Sequence, residues 1–328
     1  MSRRRALLVT TLIAIPLLAY GAGSAVVWDK LTAVPDHCGG RWTLNTPQSF
    51  EAPPEYALDT TPWRMPAPED VRIPSRDPGI EVAAWWIPAA ANASGVPAPT
   101  VIVVHGFTAC RHDHAVLLPA GMLYKHGFSV LLMDLRDHGD STREDGRFAG
   151  GTDEYRDVLG AWDWVRTTQG VDPGSIGLVG VSLGAATVLL ATGQEPGVAA
   201  VWEDSSYADL PSAIDAELSR NGYPTFLAFG GVLAARLISG DDLTSYSPLD
   251  AVARLDRRPI AITHGTADTR LSVEYGHRLE AAARAGGGPV DAWYVDGAEH
   301  TEAMLTHTAE YEQRLVDFFE RSLATAGS

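Results

Sequence analysis

The chain is poor in positive charge. Across 328 residues, 25 lysines and arginines face 41 aspartates and glutamates, a formal net charge of −16. Lys30 and Lys125 are the only lysines. A protein that grips nucleic acid needs a basic stripe to displace phosphate counterions, so this balance argues against a nucleic-acid partner. Cysteine is scarce too. Cys38 and Cys110 alone can build neither a disulfide scaffold nor a four-cysteine zinc site. There is no Gly-X-Y run, heptad pattern or fixed-period repeat. With 45% hydrophobic and 20% charged residues, the composition is globular and excludes a disordered chain. The length admits one large domain or two small ones.

One long apolar run is present. From Ala6 to Trp28 no residue is charged, and about 20 apolar residues span a bilayer as a helix. Arg3, Arg4 and Arg5 hold the N-terminal end of such a helix in the cytoplasm. The expectation is that residues 1–30 tether an extracytoplasmic body to the membrane. The rival is a secretory signal peptide, cut near the small residues Gly21-Ala22-Gly23-Ser24-Ala25. Four basic residues lie in this leader, so the remaining body is still more acidic than the whole. An exported body meets oxidising conditions, which permits a Cys38–Cys110 bridge. The spacing does not decide whether the two approach closely enough.

Residues 31–70 carry Pro35, Pro47, Pro53, Pro54, Pro62, Pro66 and Pro68, and read as an extended linker or a strap. Residues 71–328 form the regular part, with a soft loop tip at 88–99. Short apolar runs at 101–105 and 129–135 read as buried strands, and those at 175–181, 197–205, 258–265 and 289–298 read as strands. Helical patterns at 113–126, 152–170, 183–193, 272–285 and 302–324 alternate with them. Such alternation predicts a mostly parallel α/β sheet with helices on both faces, and places chemistry at the carboxyl ends of the strands. Residues 206–257 hold two helical patterns where a single crossover needs one. They read as a small helical cap inserted over the strand ends.

Gly180-Val181-Ser182-Leu183-Gly184 stands where a predicted strand meets a predicted helix, the context in which G-x-S-x-G presents a nucleophile. The turn is so tight that side chains two residues before and two residues after the serine must be absent, and Gly180 and Gly184 supply that space. A serine hydroxyl needs a base. His300 follows the last predicted strand, in Gly297-Ala298-Glu299-His300. The imidazole needs a carboxylate to fix its tautomer, and Asp268 lies three residues beyond the strand at 258–265. The order Ser182, Asp268, His300, each after its own strand, is the order of one fold. The backbone N–H groups of Leu183 and Phe107 are the expected oxyanion donors.

These residues carry a resemblance. With HGFTACRHD at 105–113, LLMDLRDHGDS at 131–141, GVSLGA at 180–185, SPLD at 247–250, HGTAD at 264–268 and GAEH at 297–300, the chain resembles serine hydrolases of the α/β-hydrolase superfamily. It is similar to the bacterial esterases and peptidase-like enzymes that share the prolyl-oligopeptidase catalytic domain. The resemblance covers roughly residues 70–325. It implies an eight-stranded, mainly parallel sheet, a Ser182–His300–Asp268 triad, and no metal or organic cofactor. The substrate it implies is a small-molecule or lipid-like acyl compound: a carboxylic ester first, with peptide or amide cleavage and acyl transfer as alternatives. No propeller precedes the domain, so the large-peptidase form is not indicated. Asp137 stands where such enzymes more often carry glycine.

Other patterns are set aside. Arg111-His112-Asp113-His114 has the types of a zinc site, but adjacent residues rarely converge on one ion without a distant ligand. Asp134, His138 and Asp140 are read as loop-stabilising. Glu203-Asp204 either lines the pocket or serves the structure, and Phe226 and Phe229 are read as a lid face or ordinary cap packing.

Overall fold

A computed structural model describes residues 3–35, 38, 44–90 and 96–323; the centre of the loop tip at 88–99 lies outside the described residues. Helix α1 (Arg3–Thr32) comes first. Then follow β1 (Glu69–Pro74), β2 (Glu81–Ile87), β3 (Thr100–Val104), α2 (His114–Lys125), β4 (Ser129–Met133), α3 (Tyr155–Thr168), β5 (Ile176–Val181), α4 (Leu183–Gln194) and β6 (Ala200–Asp204). Helices α5 (Leu210–Arg220), α6 (Ala228–Ile238) and α7 (Pro248–Val252) lead to β7 (Ile260–Gly265), α8 (Glu274–Ala285), β8 (Val290–Val295), α9 (Ala303–Thr306) and α10 (Thr308–Ser322).

The eight strands form one sheet in the order β1-β2-β4-β3-β5-β6-β7-β8. β2 runs antiparallel to both its neighbours, and the strands from β4 to β8 run parallel. The sheet is therefore mixed, with a parallel majority. β1 and β2 fall in a stretch where the alternation of strand and helix has not yet begun, so the residue pattern did not single them out.

The apolar runs of β3 to β7 bury both faces, as two-sided strands must, whereas β8, at the edge of the sheet, is only half-buried along most of its length. Ile102 and Val104 of β3 face one core layer with α3, α4 and α8. Val101 and Val103 face the other, with α2 and α10. The Pro-rich segment contributes to that second layer: Phe50, Trp63 and Met65 are buried there, and Trp63 Nε1 donates to Glu312 of α10 at 3.0 Å. Cys38 and Cys110 are joined, with Cα atoms 5.2 Å apart, which ties this segment to the loop after β3.

The single closing helix expected at 302–324 is two helices. They break at His307, whose backbone leaves the helical region (φ −126°, ψ 42°). Between β6 and β7, the two expected helices are α5 and α6. Asp209 caps α5 by accepting from Ser212 N–H at 2.9 Å. The SPLD stretch starts α7 with a reciprocal Ser247–Asp250 capping box.

Candidate active site

Ser182 ends β5 and begins α4 in a strained conformation, φ 56° and ψ −116°. Its neighbours explain how the strain persists. A Cβ on Gly184 would lie 2.3 Å from the Val104 carbonyl oxygen and 2.5 Å from that of His105. A Cβ on Gly180 would lie 2.2 Å from the Gly184 oxygen. Glycine at both positions lets α4 press against the end of β3. The Ser182 N–H donates to the Asp204 carbonyl at 2.8 Å, pinning the turn to β6. Leu183, the first residue of α4, has an N–H with no acceptor within the helix.

His300 is carried by the loop after β8. Its Nε2 lies 2.8 Å from Ser182 Oγ, and its Nδ1 lies 2.7 Å from Asp268 Oδ2. An ionised carboxylate only accepts, so Nδ1 carries the proton and Nε2 is left to accept from the serine. The loop is held from behind, where Thr301 N–H donates to Ser205 Oγ at 3.2 Å.

Asp268 follows β7. Burial alone would raise its pKa, but partners outweigh burial and hold the carboxyl well below the ordinary range. Those partners are His264, His300 and the Leu271 N–H. Its other oxygen accepts from the N–H groups of Arg270 (2.9 Å) and Leu271 (2.8 Å). His264, at the end of β7, is a partner that sequence reasoning missed. It stands in the HGTAD stretch, where no local signal marks its contact with Asp268. Its Nε2 stands 2.7 Å from the Leu271 carbonyl and 3.3 Å from Asp268 Oδ2. Beside it on β6, burial pushes Glu203 up to about 8, so this carboxyl is mostly protonated at neutral pH.

Phe107 lies beyond β3, and its ring lines the cleft over Ser182. Gly106 brings that backbone close: a Cβ there would stand 3.3 Å from Ser182 Cβ. His105 anchors the loop. Its Nδ1–H donates to the Gly106 carbonyl at 2.8 Å, and its Nε2 accepts from Leu135 N–H at 3.0 Å. Burial pulls its pKa down to about 4, which keeps it neutral. Asp137 occupies the position noted as a departure with φ 63°. Its carboxylate accepts from the N–H groups of Glu144 (2.8 Å) and Gly146 (2.7 Å). Aspartate tolerates the left-handed region better than most residues, and here it also ties down the loop.

The residues set aside have structural partners. Asp113 caps α2 through Ala115 N–H at 2.8 Å. His112 Nδ1 lies 2.6 Å from the Asn45 carbonyl. Asp134 takes the Arg111 guanidinium and accepts from Arg111 N–H (2.7 Å) and Asp140 N–H (3.0 Å).

The cleft over Ser182 is open to solvent and has a cavity volume of about 110 Å³. Its walls are mainly apolar, with Phe107, Phe148, Leu210, Ile214 and Leu271 among them. Lys30 and Leu31 from the last turn of α1 also line it.

This fold, with a serine at a strand-to-helix turn, is that of a serine hydrolase of the α/β-hydrolase superfamily. The chain belongs to the prolyl oligopeptidase family, whose pattern matches residues 120–326. It is similar to the uncharacterized protein YfhR of Escherichia coli K12, 25% identical over 278 residues that cover 84% of this chain and 87% of that protein. Among solved structures it is similar to the Pyrococcus furiosus esterase Pf2001, with 20% identity and a TM-score of 0.64, covering 89% of this chain and 99% of that one. The acylaminoacyl peptidase of Pyrococcus horikoshii gives 18% identity and a TM-score of 0.59, covering 80% of this chain and 42% of that one.

Proposed function

We propose that this serine hydrolase cleaves carboxylic esters through an acyl-enzyme intermediate. The observation that carries the reading is the unbroken relay from Ser182 Oγ to His300 Nε2 (2.8 Å) and from His300 Nδ1 to Asp268 (2.7 Å). Ser182 Oγ attacks the acyl carbonyl while His300 takes its proton. Asp268 stays ionised, holds the tautomer and stabilises the imidazolium. The N–H groups of Leu183 and Phe107 receive the oxyanion. His300 returns the proton to the leaving alcohol, then activates a water that releases the acid and frees Ser182.

The apolar walls of the cleft support an acyl chain as the bound group, hence a small-molecule or lipid-like ester. Residues 206–257 serve as a cap on this site. Residues 1–30 tether the body to the extracytoplasmic face of the membrane; among the described residues, Thr10–Thr32 is a helical stretch long and apolar enough to cross one. Peptidase or amidase action of the prolyl-oligopeptidase type and acyl transfer use the same relay and are the alternatives.

Labelling of the full chain with a fluorophosphonate, followed by mass mapping, tests the nucleophile. The adduct is expected on Ser182 and absent from Ser182→Ala, and a labelled Ser182→Ala protein would overturn the assignment. A panel of p-nitrophenyl esters beside aminoacyl anilides tests the bond, and cleavage of anilides alone would reverse the ester ranking.

A further inference from the structure

Helix α6 lies beside α1 and carries an apolar face. The two helices pack tightly. A Cβ on Gly230 would lie 2.0 Å from Ser24 Oγ, so only glycine admits α1 at that point. Gly231 faces Val27. Tyr20 stacks on Phe226 with ring centroids 6.2 Å apart and donates its hydroxyl to the Phe226 carbonyl at 3.2 Å. The height of α6 along α1 is therefore set by contacts from Tyr20 to Val27.

That height has a consequence for an anchored chain. At about 1.5 Å per residue, the stretch from Ala6 to Val27 matches the roughly 30 Å of a hydrocarbon core. Tyr20 then lies about 21 Å from the cytoplasmic boundary, beyond the midplane. A helix packed against Tyr20 and Ser24 cannot avoid the same leaflet.

The outer side of α6 suits that environment. Phe229, Leu233 and Leu237 are 73%, 43% and 75% exposed, and their spacing places them on one helical face. Arg236 is the only charged residue within α6, and it pairs with Asp242 at 3.7 Å. Lys30 and Leu31, which line the Ser182 cleft, stand about one turn above Val27.

We propose that this face of α6 is seated in the extracytoplasmic leaflet beside α1, so that the cleft over Ser182 opens at the bilayer surface and receives acyl esters from the lipid phase. The occupant of the apolar face is lipid, because lipid that surrounds α1 at the level of Tyr20 also reaches α6. The lipid contact rests on the anchor reading, and the substrate half rests on Ser182 as nucleophile.

The test uses the full chain in phosphatidylcholine vesicles. The described native cysteines are bridged, so Phe229→Cys supplies a thiol for an environment-sensitive nitrobenzoxadiazole label, with Glu320→Cys on α10 as the water-exposed control. The label at 229 is expected to emit to the blue of the control, to be quenched by doxyl lipids and to resist iodide. Control-like emission and iodide quenching would overturn the proposal. So would shielding that vanishes as protein is diluted in lipid, since a second copy would then be the cover. An intact mass showing the leader removed would also overturn it.

The double variant Phe229→Asp/Leu233→Asp is expected to hydrolyse a vesicle-embedded long-chain ester about tenfold more slowly, with p-nitrophenyl acetate turnover unchanged. Equal loss on both substrates, or on neither, overturns the substrate half. A wild type that cleaves neither ester overturns the ester reading and the substrate half with it, while the fluorescence still decides where α6 sits.

Discussion

Removing the Cys38–Cys110 bridge should loosen the fold and the site together. The two residues are 72 apart in the chain. Freeing a loop of that length restores entropy to the unfolded state worth about 4 kcal/mol in the chain-entropy description. Cys110 is itself buried and lies three residues past Phe107, the expected oxyanion donor, so the bridge also steadies the loop that carries it. The Cys38→Ala/Cys110→Ala double variant, unfolded by urea in detergent and followed by tryptophan fluorescence, should lose about 4 kcal/mol. Turnover of a soluble ester should fall by about tenfold through kcat with KM little changed, since the donor is displaced rather than the acyl pocket. Thiol titration in denaturant should find free thiols only after reduction. Two free thiols before reduction, or a stability loss under about 1 kcal/mol, would refute the reasoning.

Gly184→Ala puts a methyl group 2.3 Å from the Val104 oxygen. It should cost about 1–3 kcal/mol of stability in a urea titration and lower kcat with it, because the start of α4 must move. Asp268→Asn should lower kcat by about 10³–10⁴ in steady-state assays while circular dichroism stays native, since an amide no longer selects the productive His300 tautomer. Glu203 is raised to about 8 in the folded protein from an ordinary 4.5. Between those two values the folded state holds a proton that the unfolded chain has lost, so this group makes stability fall as pH rises through that window. The slope from one such group is at most about 1.4 kcal/mol per pH unit. Glu203→Gln should remove it, giving urea midpoints at pH 5 and pH 8 closer together than in the wild type.

Much of the site was legible because its signals are local. A glycine on each side of Ser182, and Asp268 and His300 each just past an apolar run, follow from tight turns and from chemistry gathering at strand ends. The alternation of apolar strand and amphipathic helix gave the parallel strands to within a few residues. β1 and β2 escaped because they pair with each other and with β4 before any alternation starts. His264 escaped because its role depends on folding back onto Asp268, and the break at His307 because it is a single-residue change of backbone inside an otherwise helical pattern.

By itself the sequence determined the class of fold, the places after successive strands of Ser182, Asp268 and His300, which the structure brings within hydrogen-bonding distance, and the presence of a long apolar stretch near the N-terminus. These depend on periodicity, steric room and residue type within short windows. The tertiary structure decided what lies far apart in the chain. It joined Cys38 to Cys110, laid Trp63 against α10, and set Tyr20 against Phe226 across 206 residues. Contacts of that range are chosen by the packing of whole elements, which leaves no spacing in the sequence to read.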